Sequence, residues 1–347
     1  MRRWIVSPAY DLAAFSGPAF AASAAVAFLP AAADVGPLAW LVLVVGVDVG
    51  HVWSTVWRGP LDPAARRRWG QALVAVPVAV FAVALAVHAV SPAWMWRVLA
   101  YVAVFHFVRQ QVGFVSLYRA CEGLGGGGPD ARVERGLVYA LCGLPVLWWH
   151  TAPPRAFAWF VPGDFAVGWP AWLLVPAALV TAGLAIAHVG FRWRSGQAAW
   201  GRDLWVLSTG VSWFVAIRLA DGDLAFTLVN VVAHGVPYYA LVHAIGRGRW
   251  ASGEGPLTPA WFAPAAVAAF VGLPIAAALV EEGLWDGLVW HDHEALFGAW
   301  APPSWAAWIA APALVVPQAA HYVLDGVLWR PGRDPELRAA IRAAGSP

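Results

Sequence analysis

The chain has 347 residues, of which 61% are hydrophobic and only 12% are charged, and its formal net charge at pH 7 is +2. A soluble globular domain carries roughly 25% charged residues, so this composition excludes an ordinary soluble protein. The two cysteines, Cys121 and Cys142, form neither a disulfide framework nor a CxxC metal motif, and no basic patch supports a nucleic-acid partner.

Apolar stretches of about 20 residues, the length that crosses a bilayer core, recur along the whole chain. In chain order they predict ten transmembrane helices, at 12–33, 36–57, 70–90, 94–118, 134–150, 170–190, 203–220, 224–245, 260–281 and 303–329. We therefore predict an all-α fold, a polytopic helical bundle that forms a single membrane domain over 1–347. The segment 331–347 is predicted to be a short cytoplasmic tail.

The positions of the basic residues, all of which are arginine, fit this topology. All but Arg97, Arg109, Arg155 and Arg218 either precede the first span or follow an even-numbered span. By the positive-inside rule, this alternation places both termini in the cytoplasm. We expect an integral protein of the bacterial inner (cytoplasmic) membrane, surrounded by membrane lipids, and the sequence leaves its oligomeric state open.

Two histidines in the first half of the chain lie deep in predicted spans, where an ionisable side chain is costly and usually functional. His51, in the second span, shares a helical face with Asp48 at i,i+3 spacing. His106, in the fourth span, is followed by Arg109 and Gln110. An arginine at this depth requires an anionic partner, and we expect a carboxylate of Asp48 or Asp325 to supply it.

Two further histidines in the second half repeat this pattern. Asn230, His234 and Tyr238 form an i, i+4, i+8 stripe in the eighth span, and His321 in the tenth span is followed by Asp325 at i+4. All four histidines lie on even-numbered spans, between the bilayer middle and the cytoplasmic edge. We therefore predict that they meet as metal ligands: His51, His106, His234 and His321. Asp48, Asp325 and Asn230 are predicted to orient the imidazoles.

Other histidines favour a simpler interpretation. His188 and His243 lie near the arginine-rich edge, where a side chain that hydrogen-bonds between helices is expected. His291 and His293 belong to an acidic outward loop that we expect to be solvated. A polar network that serves only helix packing is also an alternative for the four deep histidines.

The predicted ligand set limits the chemistry. Three or four neutral imidazoles suit Fe(II), Zn(II) or copper, and iron with open positions activates dioxygen. A site inside an apolar bundle favours a substrate dissolved in the bilayer. The leading hypothesis is therefore an iron-dependent membrane oxygenase that acts on an apolar lipid, with catalytic roles for Asp48, Arg109, Tyr238 and Asp325.

Four segments carry a resemblance to a known family: 50-GHVWSTVWR-58, 105-FHFVRQQVGF-114, 233-AHGVPYYALVH-243 and 317-PQAAHYVLDGVLWRP-331. In order and separation they resemble the histidine motifs of the membrane β-carotene-cleaving dioxygenases of the Brp/Blh type. The resemblance implies that iron is bound by His51, His106 and His234 and that a carotenoid-like lipid is cleaved oxidatively. Tyr238 stands where the family has another histidine, so the resemblance leaves His321 or His243 to complete the ligand set.

Two other functions remain open at this stage. The first is a proton- or ion-coupled transporter in which Asp48, Arg109, His234 and Asp325 form a relay within the membrane. The second is a haem protein with two axial histidines from facing helices. Ion-dependent uptake by liposomes that Asp325→Asn abolishes would favour the transporter, and a visible absorption band of the purified protein would indicate haem.

Overall fold

The computed structural model describes residues 3–152, 155–196, 198–251, 259–330 and 334–345, and its principal elements are all helices. We number the principal helices in chain order: α1 Pro8–Phe28, α2 Pro37–Arg58, α3 Pro63–Val90, α4 Pro92–Cys121, α5 Pro129–Thr151, α6 Ala171–Ser195, α7 Trp200–Trp213 with its continuation Phe214–Leu219, α8 Asp223–Ala251, α9 Val267–Trp290, α10 Ser304–Leu328 and α11 Pro335–Ala344. The predicted all-α, polytopic helical architecture is confirmed.

Eight of the ten predicted spans are helices that are long and apolar enough to cross a bilayer. The other two, predicted at 134–150 and 203–220, are also helical, as α5 and α7, but they do not meet the same criterion of length and hydropathy among the described residues. The protein is therefore an integral membrane protein. The count of ten crossings and the cytoplasmic termini stay predictions.

The helix starts follow from local sequence. Pro8 and Pro63 occupy first turns, where the missing proline N–H has no intrahelical acceptor to lose. The side chains of Ser7 and Asp62 accept hydrogen bonds from the backbone N–H groups of the first turns of α1 and α3. Short connections such as Gly59–Asp62 and Ser91 then turn the chain sharply between successive helices.

Helices α4 and α8 are the most deeply buried of the long apolar helices. Their most apolar stretches are 56% and 61% buried, compared with 6% for α3 and none for α6. Because α3 and α6 expose Val, Leu and Ala along most of their length, they fit a position against lipid hydrocarbon. These two buried helices carry His106 and His234.

The helices divide into two compact units. The first comprises residues 1–39, 104–240 and 344–347, within the described ranges. Its core is built from aromatic contacts, in which Phe114 stacks on Trp205 at 4.1 Å between ring centroids and meets Phe15 edge-on at 5.1 Å. The long connection from α5 to α6 packs back on this unit, since Phe157 stacks on Phe226 at 4.4 Å.

The second unit comprises residues 40–103 and 241–343. Helix α9 packs against α2, where the indole of Trp53 donates to Glu281 (2.6 Å) and that of Trp57 donates to the carbonyl of Phe270 (3.2 Å). Helices α3 and α10 pack together through an apolar cluster centred on Leu324 and Leu328. Glu281 and the indoles of Trp53 and Trp57 therefore each have a hydrogen-bonding partner inside this unit.

The predicted tail, 331–347, lies partly outside the described residues, which include 334–345 of it. That part contains α11, an amphipathic helix whose Leu337 and Ile341 are buried. Asp334, just before α11, accepts hydrogen bonds from Arg58 (2.7 Å) and Arg68 (3.3 Å). The described part of the tail is therefore a packed helix, and Asp334 connects it by ion pairs to the arginine-bearing ends of α2 and α3.

Candidate metal centre

The first histidine of the candidate site follows an irregular stretch of α2. Residues Trp40–Val49 form a π-helix, and regular α-helix resumes at Gly50, one residue before His51. Such π-segments are rare and often occur at functional sites. His51 is 1% exposed, and its Nδ1 lies 3.2 Å from the carbonyl oxygen of Val47, within the π-helix. This contact orients the imidazole.

His321, on α10, lies beside His51. Their ring centroids are 5.1 Å apart and the rings meet edge-to-face, at 79°. Nδ1 of His321 lies 2.7 Å from Oγ1 of Thr55, which is one helical turn beyond His51 on α2. Because Nδ1 of both histidines has a hydrogen-bonding partner, Nε2 is the natural ligand atom of each.

The two predicted orienting carboxylates lie near these rings but outside hydrogen-bonding distance. Oδ1 of Asp48 is 3.8 Å from Nδ1 of His51, and Oδ1 of Asp325 is 3.7 Å from Nδ1 of His321. A hydrogen bond to an imidazole requires about 2.7–3.2 Å. The backbone carbonyl of Val47 and the hydroxyl of Thr55 are therefore the closer partners of the two Nδ1 atoms, and an orienting role for Asp48 and Asp325 stays a prediction.

The other two histidines form a second pair. His106 on α4 and His234 on α8 also have ring centroids 5.1 Å apart at 79°. The ring of Phe107 stacks on His234 at 3.5 Å between centroids and 10° between planes. The side-chain amide of Gln110 donates to the carbonyl of His234 (2.8 Å), which fixes α4 and α8 at this level. Both histidines are buried.

A small cavity lies on the far side of this second pair. It has a volume of about 10 Å³, and its lining includes Asn230, His234, Gln111 and Ser212. A space of this size with several polar walls holds about one water molecule. Asn230 therefore lines a polar pocket with His234, as its position on the same helical stripe predicted.

All four predicted histidines come together. One ligand nitrogen from each of His51, His106, His234 and His321 lies within 4.8 Å of the others. A metal–imidazole bond is about 2.0–2.1 Å, so bound nitrogens stand roughly 3.4 Å apart in a tetrahedron and roughly 4.2 Å apart across a metal. The imidazoles thus surround a space that fits one ion after slight inward movement. The predicted four-histidine cluster is confirmed, and it can hold a metal ion.

Comparisons of the chain with protein-family models, with curated proteins and with solved structures gave no match. The function is therefore inferred from the residues themselves, beginning with the donors. The group consists entirely of imidazoles, without a carboxylate or a thiolate among the described members. Imidazole donors suit iron, zinc, copper and nickel, and disfavour magnesium and calcium.

Two of the predicted catalytic residues, Arg109 and Tyr238, lie in different surroundings. Arg109 is exposed, and its guanidinium donates to the hydroxyl of Tyr139 (2.8 Å). The expectation that Asp48 or Asp325 would partner it is not met, since the partner of its guanidinium is the hydroxyl of Tyr139. Tyr238 is buried, one turn beyond His234 on α8. Catalytic roles for both residues stay predictions.

The remaining histidines lie outside the cluster within the described ranges. His188 is 3.8 Å from Glu134 and 3.9 Å from Asp203, inside an ion-pair network at the arginine-bearing ends of α4 to α7. His293 stacks on Trp40 at 3.9 Å in the loop after α9. His188 therefore lies in a polar network between helices, and a direct interhelical hydrogen bond from it and solvation of the loop stay predictions.

Sequence reasoning did not identify Thr55 or Phe107. The signal for Thr55 was its i+4 spacing from His51, because a side chain on that face lies one turn along the same stripe. Phe107 directly follows His106, and adjacent residues on a helix point in different directions, so nothing in the pattern indicated that it would cover His234. That contact depends on how α4 and α8 pack.

Proposed function

We propose that this chain is a metal-dependent oxygenase embedded in the membrane, that its metal is iron, and that its substrate is an apolar lipid dissolved in the bilayer. The observation that carries the proposal is the cluster of four buried histidines whose ligand atoms lie within 4.8 Å of one another. His51, His106, His234 and His321 would hold the metal. The choice of iron and of a carotenoid-like substrate draws on the resemblance of the four histidine segments to the Brp/Blh-type dioxygenases.

The surroundings of the cluster suit chemistry that must exclude water. The four histidines are between 1% and 5% exposed. Phe107 covers one face of His234, and the carbonyl of Val47 and the hydroxyl of Thr55 hold the rings of His51 and His321 in place. Ligands that are fixed in advance bind a metal with less loss of conformational freedom. When bound, iron with open coordination positions would supply activation of dioxygen.

The chain's other residues would select the substrate. The helices around the cluster are rich in Val, Ala and Trp, and the long apolar helices expose such residues to the membrane. An apolar substrate would therefore reach the site from the bilayer without crossing water. This supports a lipid, such as a carotenoid-like polyene, over a polar metabolite.

The two competing functions fit the geometry less well. A transport relay was expected to use Arg109, which is exposed and hydrogen-bonded to Tyr139. A haem with two axial histidines needs room for a macrocycle between its ligands. Because four imidazole nitrogens lie within 4.8 Å of one another, two of the histidines would occupy the space that the macrocycle needs around the axial pair.

Elemental analysis of the purified protein tests the metal centre. We expect near-stoichiometric iron in the wild type and its loss in His106→Ala and His234→Ala. His243→Ala is the matched control, because His243 lies on α8 but outside the cluster, and it should keep its metal. Absence of any metal after purification without chelators and after reconstitution would overturn the proposal.

Activity is tested separately. The iron-loaded protein in lipid nanodiscs should consume dioxygen when β-carotene or another long polyene is present, and oxidised products should appear by mass spectrometry. Zinc in place of iron, without dioxygen consumption, would instead point to hydrolytic or structural chemistry. Persistent colour and no retinal in carotenoid-producing cells would count against carotene as the substrate.

A further inference from the structure

The second unit contains a cavity that the metal centre does not use. Its volume is about 320 Å³, within the usual range for small-molecule sites. Helices α3, α4 and α10 line it with Val, Ala, Leu and Met side chains, and its wall contains no polar side chain among the residues that the structure describes. We call it the α3 cavity, after the helix that supplies most of its lining.

The α3 cavity extends along three turns of α3. On α3 its lining runs from Val76 to Val87, whose Cα atoms are separated by about 16 Å along the helix at 1.5 Å per residue. The lining side chains are small, with Ala79, Ala84 and Ala319 among them. A space of this length and volume accommodates one extended hydrocarbon chain rather than a compact ring system.

One end of the cavity is closed and its side is open. Toward the start of α3, beyond the last lining residue Val76, Leu73 and Trp69 pack on Leu324 and Leu328 of α10, and we expect this packing to end the cavity. Along its length, Val83 and Val98 are 59% and 43% exposed, so the cavity opens laterally to the surrounding lipid. A hydrocarbon chain can therefore enter from the bilayer and stop at a fixed depth.

The lining of α4 leads toward the metal centre. Met95, Leu99 and Val102 line the cavity at heptad-like spacing, and His106 is the next residue on that stripe. Val102 and His106 are separated by four residues, about 6 Å along the axis. A chain lying in the cavity against α4 would thus point toward the level of His106.

We infer that the α3 cavity binds the hydrocarbon chain of the lipid substrate and guides it along α4 toward His106. This inference rests on the proposed oxygenase function and adds a binding site to it. The polar end of a lipid would stay outside the cavity, because its wall offers no hydrogen-bonding side chain. Recognition would therefore depend on chain length and straightness.

Photolabelling with a fatty acid that carries a diazirine on its chain tests the site in phosphatidylcholine nanodiscs. We expect saturable labelling of α3 near Val83 that parinaric acid, a linear polyene acid, competes away. Ala84→Phe fills the cavity and should reduce the saturable labelling roughly tenfold, which corresponds to about 1.4 kcal/mol. Ala79→Phe, at an exposed position of the lining, should also reduce the saturable labelling. It keeps the test valid if Ala84→Phe fails to fold.

The matched control is Ala82→Phe, an exposed position on α3 outside the cavity lining, which should label like the wild type. Labelling that does not saturate, or that is equal in Ala84→Phe and Ala82→Phe, would show that bulk acyl chains alone contact this surface, and would overturn the inference. Labelling is repeated after treatment with a chelator. Because none of the cavity's lining residues is a proposed metal ligand, the labelling can be interpreted even if the protein proves to bind no metal.

Discussion

Oγ1 of Thr55 lies 2.7 Å from Nδ1 of His321, so a hydroxyl on α2 sets the orientation of an imidazole on α10. Both residues belong to the second unit, and Thr55 is one turn beyond His51. The same short stretch of α2 therefore supplies one candidate ligand and the hydrogen-bonding partner of another. A carboxylate in that position would add a negative charge beside the ring. The neutral hydroxyl of Thr55 adds none, so a bound metal would not have its charge offset there.

Thr55→Val should weaken metal binding without unfolding the protein. Valine keeps the shape of threonine but removes the hydroxyl, so the ring of His321 loses its partner. Loss of a partner behind a histidine ligand typically costs 10- to 100-fold in metal affinity. Metal titration with a competing chelator measures the change, and Thr55→Ser should restore most of the affinity.

Ser54→Ala provides the control for that experiment. Ser54 is buried next to Thr55, and its hydroxyl donates to the backbone carbonyl of His51 rather than to an imidazole (2.7 Å). Its removal should leave metal affinity close to that of the wild type. Equal losses in Thr55→Val and Ser54→Ala would show that the effect comes from the helix and not from the contact with His321.

The sequence was sufficient to predict most of the architecture, because ten apolar stretches and the arginine alternation are one-dimensional signals. It was also sufficient to predict that four histidines would cluster, since a buried imidazole in a membrane helix is costly and usually functional. It could not show which neighbour would lie nearest to each ring. Asp48 and Asp325 have the right helical spacing, yet Val47 and Thr55 lie closer to the rings, and those positions depend on the π-segment of α2 and on the packing of α10 against it.

Arg109→Gln tests whether this arginine acts in the site. Its side chain is exposed and bonded to the hydroxyl of Tyr139, so the substitution should change stability by only about 0.5 kcal/mol and leave metal content unchanged. Elemental analysis and thermal unfolding of the variant measure both. If the variant kept its full metal content but lost dioxygen consumption, the result would support the catalytic role predicted for Arg109.

Gly201→Ala should destabilise the first unit. A Cβ atom at this position would lie 2.6 Å from Cε1 of Tyr118 and 2.8 Å from Cε3 of Trp4, closer than van der Waals contact allows. Overpacking of this kind costs about 1–3 kcal/mol. Gly190→Ala on α6 meets nothing within 4 Å and should instead stabilise its helix by about 0.5–1 kcal/mol. Thermal unfolding in detergent should shift in opposite directions for the two variants.

Asp62 joins three elements of the second unit, and its charge should make stability depend on pH. Its Oδ2 lies 2.5 Å from Arg58 and 2.5 Å from Arg249, and Oδ1 accepts from the N–H of Ala64 at the start of α3. Burial raises the pKa of this carboxyl, but the hydrogen bond from Arg249 and the charges of both arginines outweigh it and hold the pKa below 3.8. The folded protein therefore favours the ionised form.

Asp62→Asn should lower the free energy of unfolding by about 3–5 kcal/mol at neutral pH, because it leaves two partly buried guanidinium groups without their shared carboxylate. Asparagine still caps a helix, so the change isolates the charge. A carboxyl with a depressed folded pKa stabilises above its unfolded pKa of about 3.9, and that stability disappears as pH falls through the lower folded value. The difference in the free energy of unfolding between the wild type and Asp62→Asn should thus stay constant above about pH 5 and shrink below about pH 4. Asp292→Asn, at an exposed carboxylate, is the control and should change the free energy of unfolding at neutral pH by no more than about 0.5 kcal/mol.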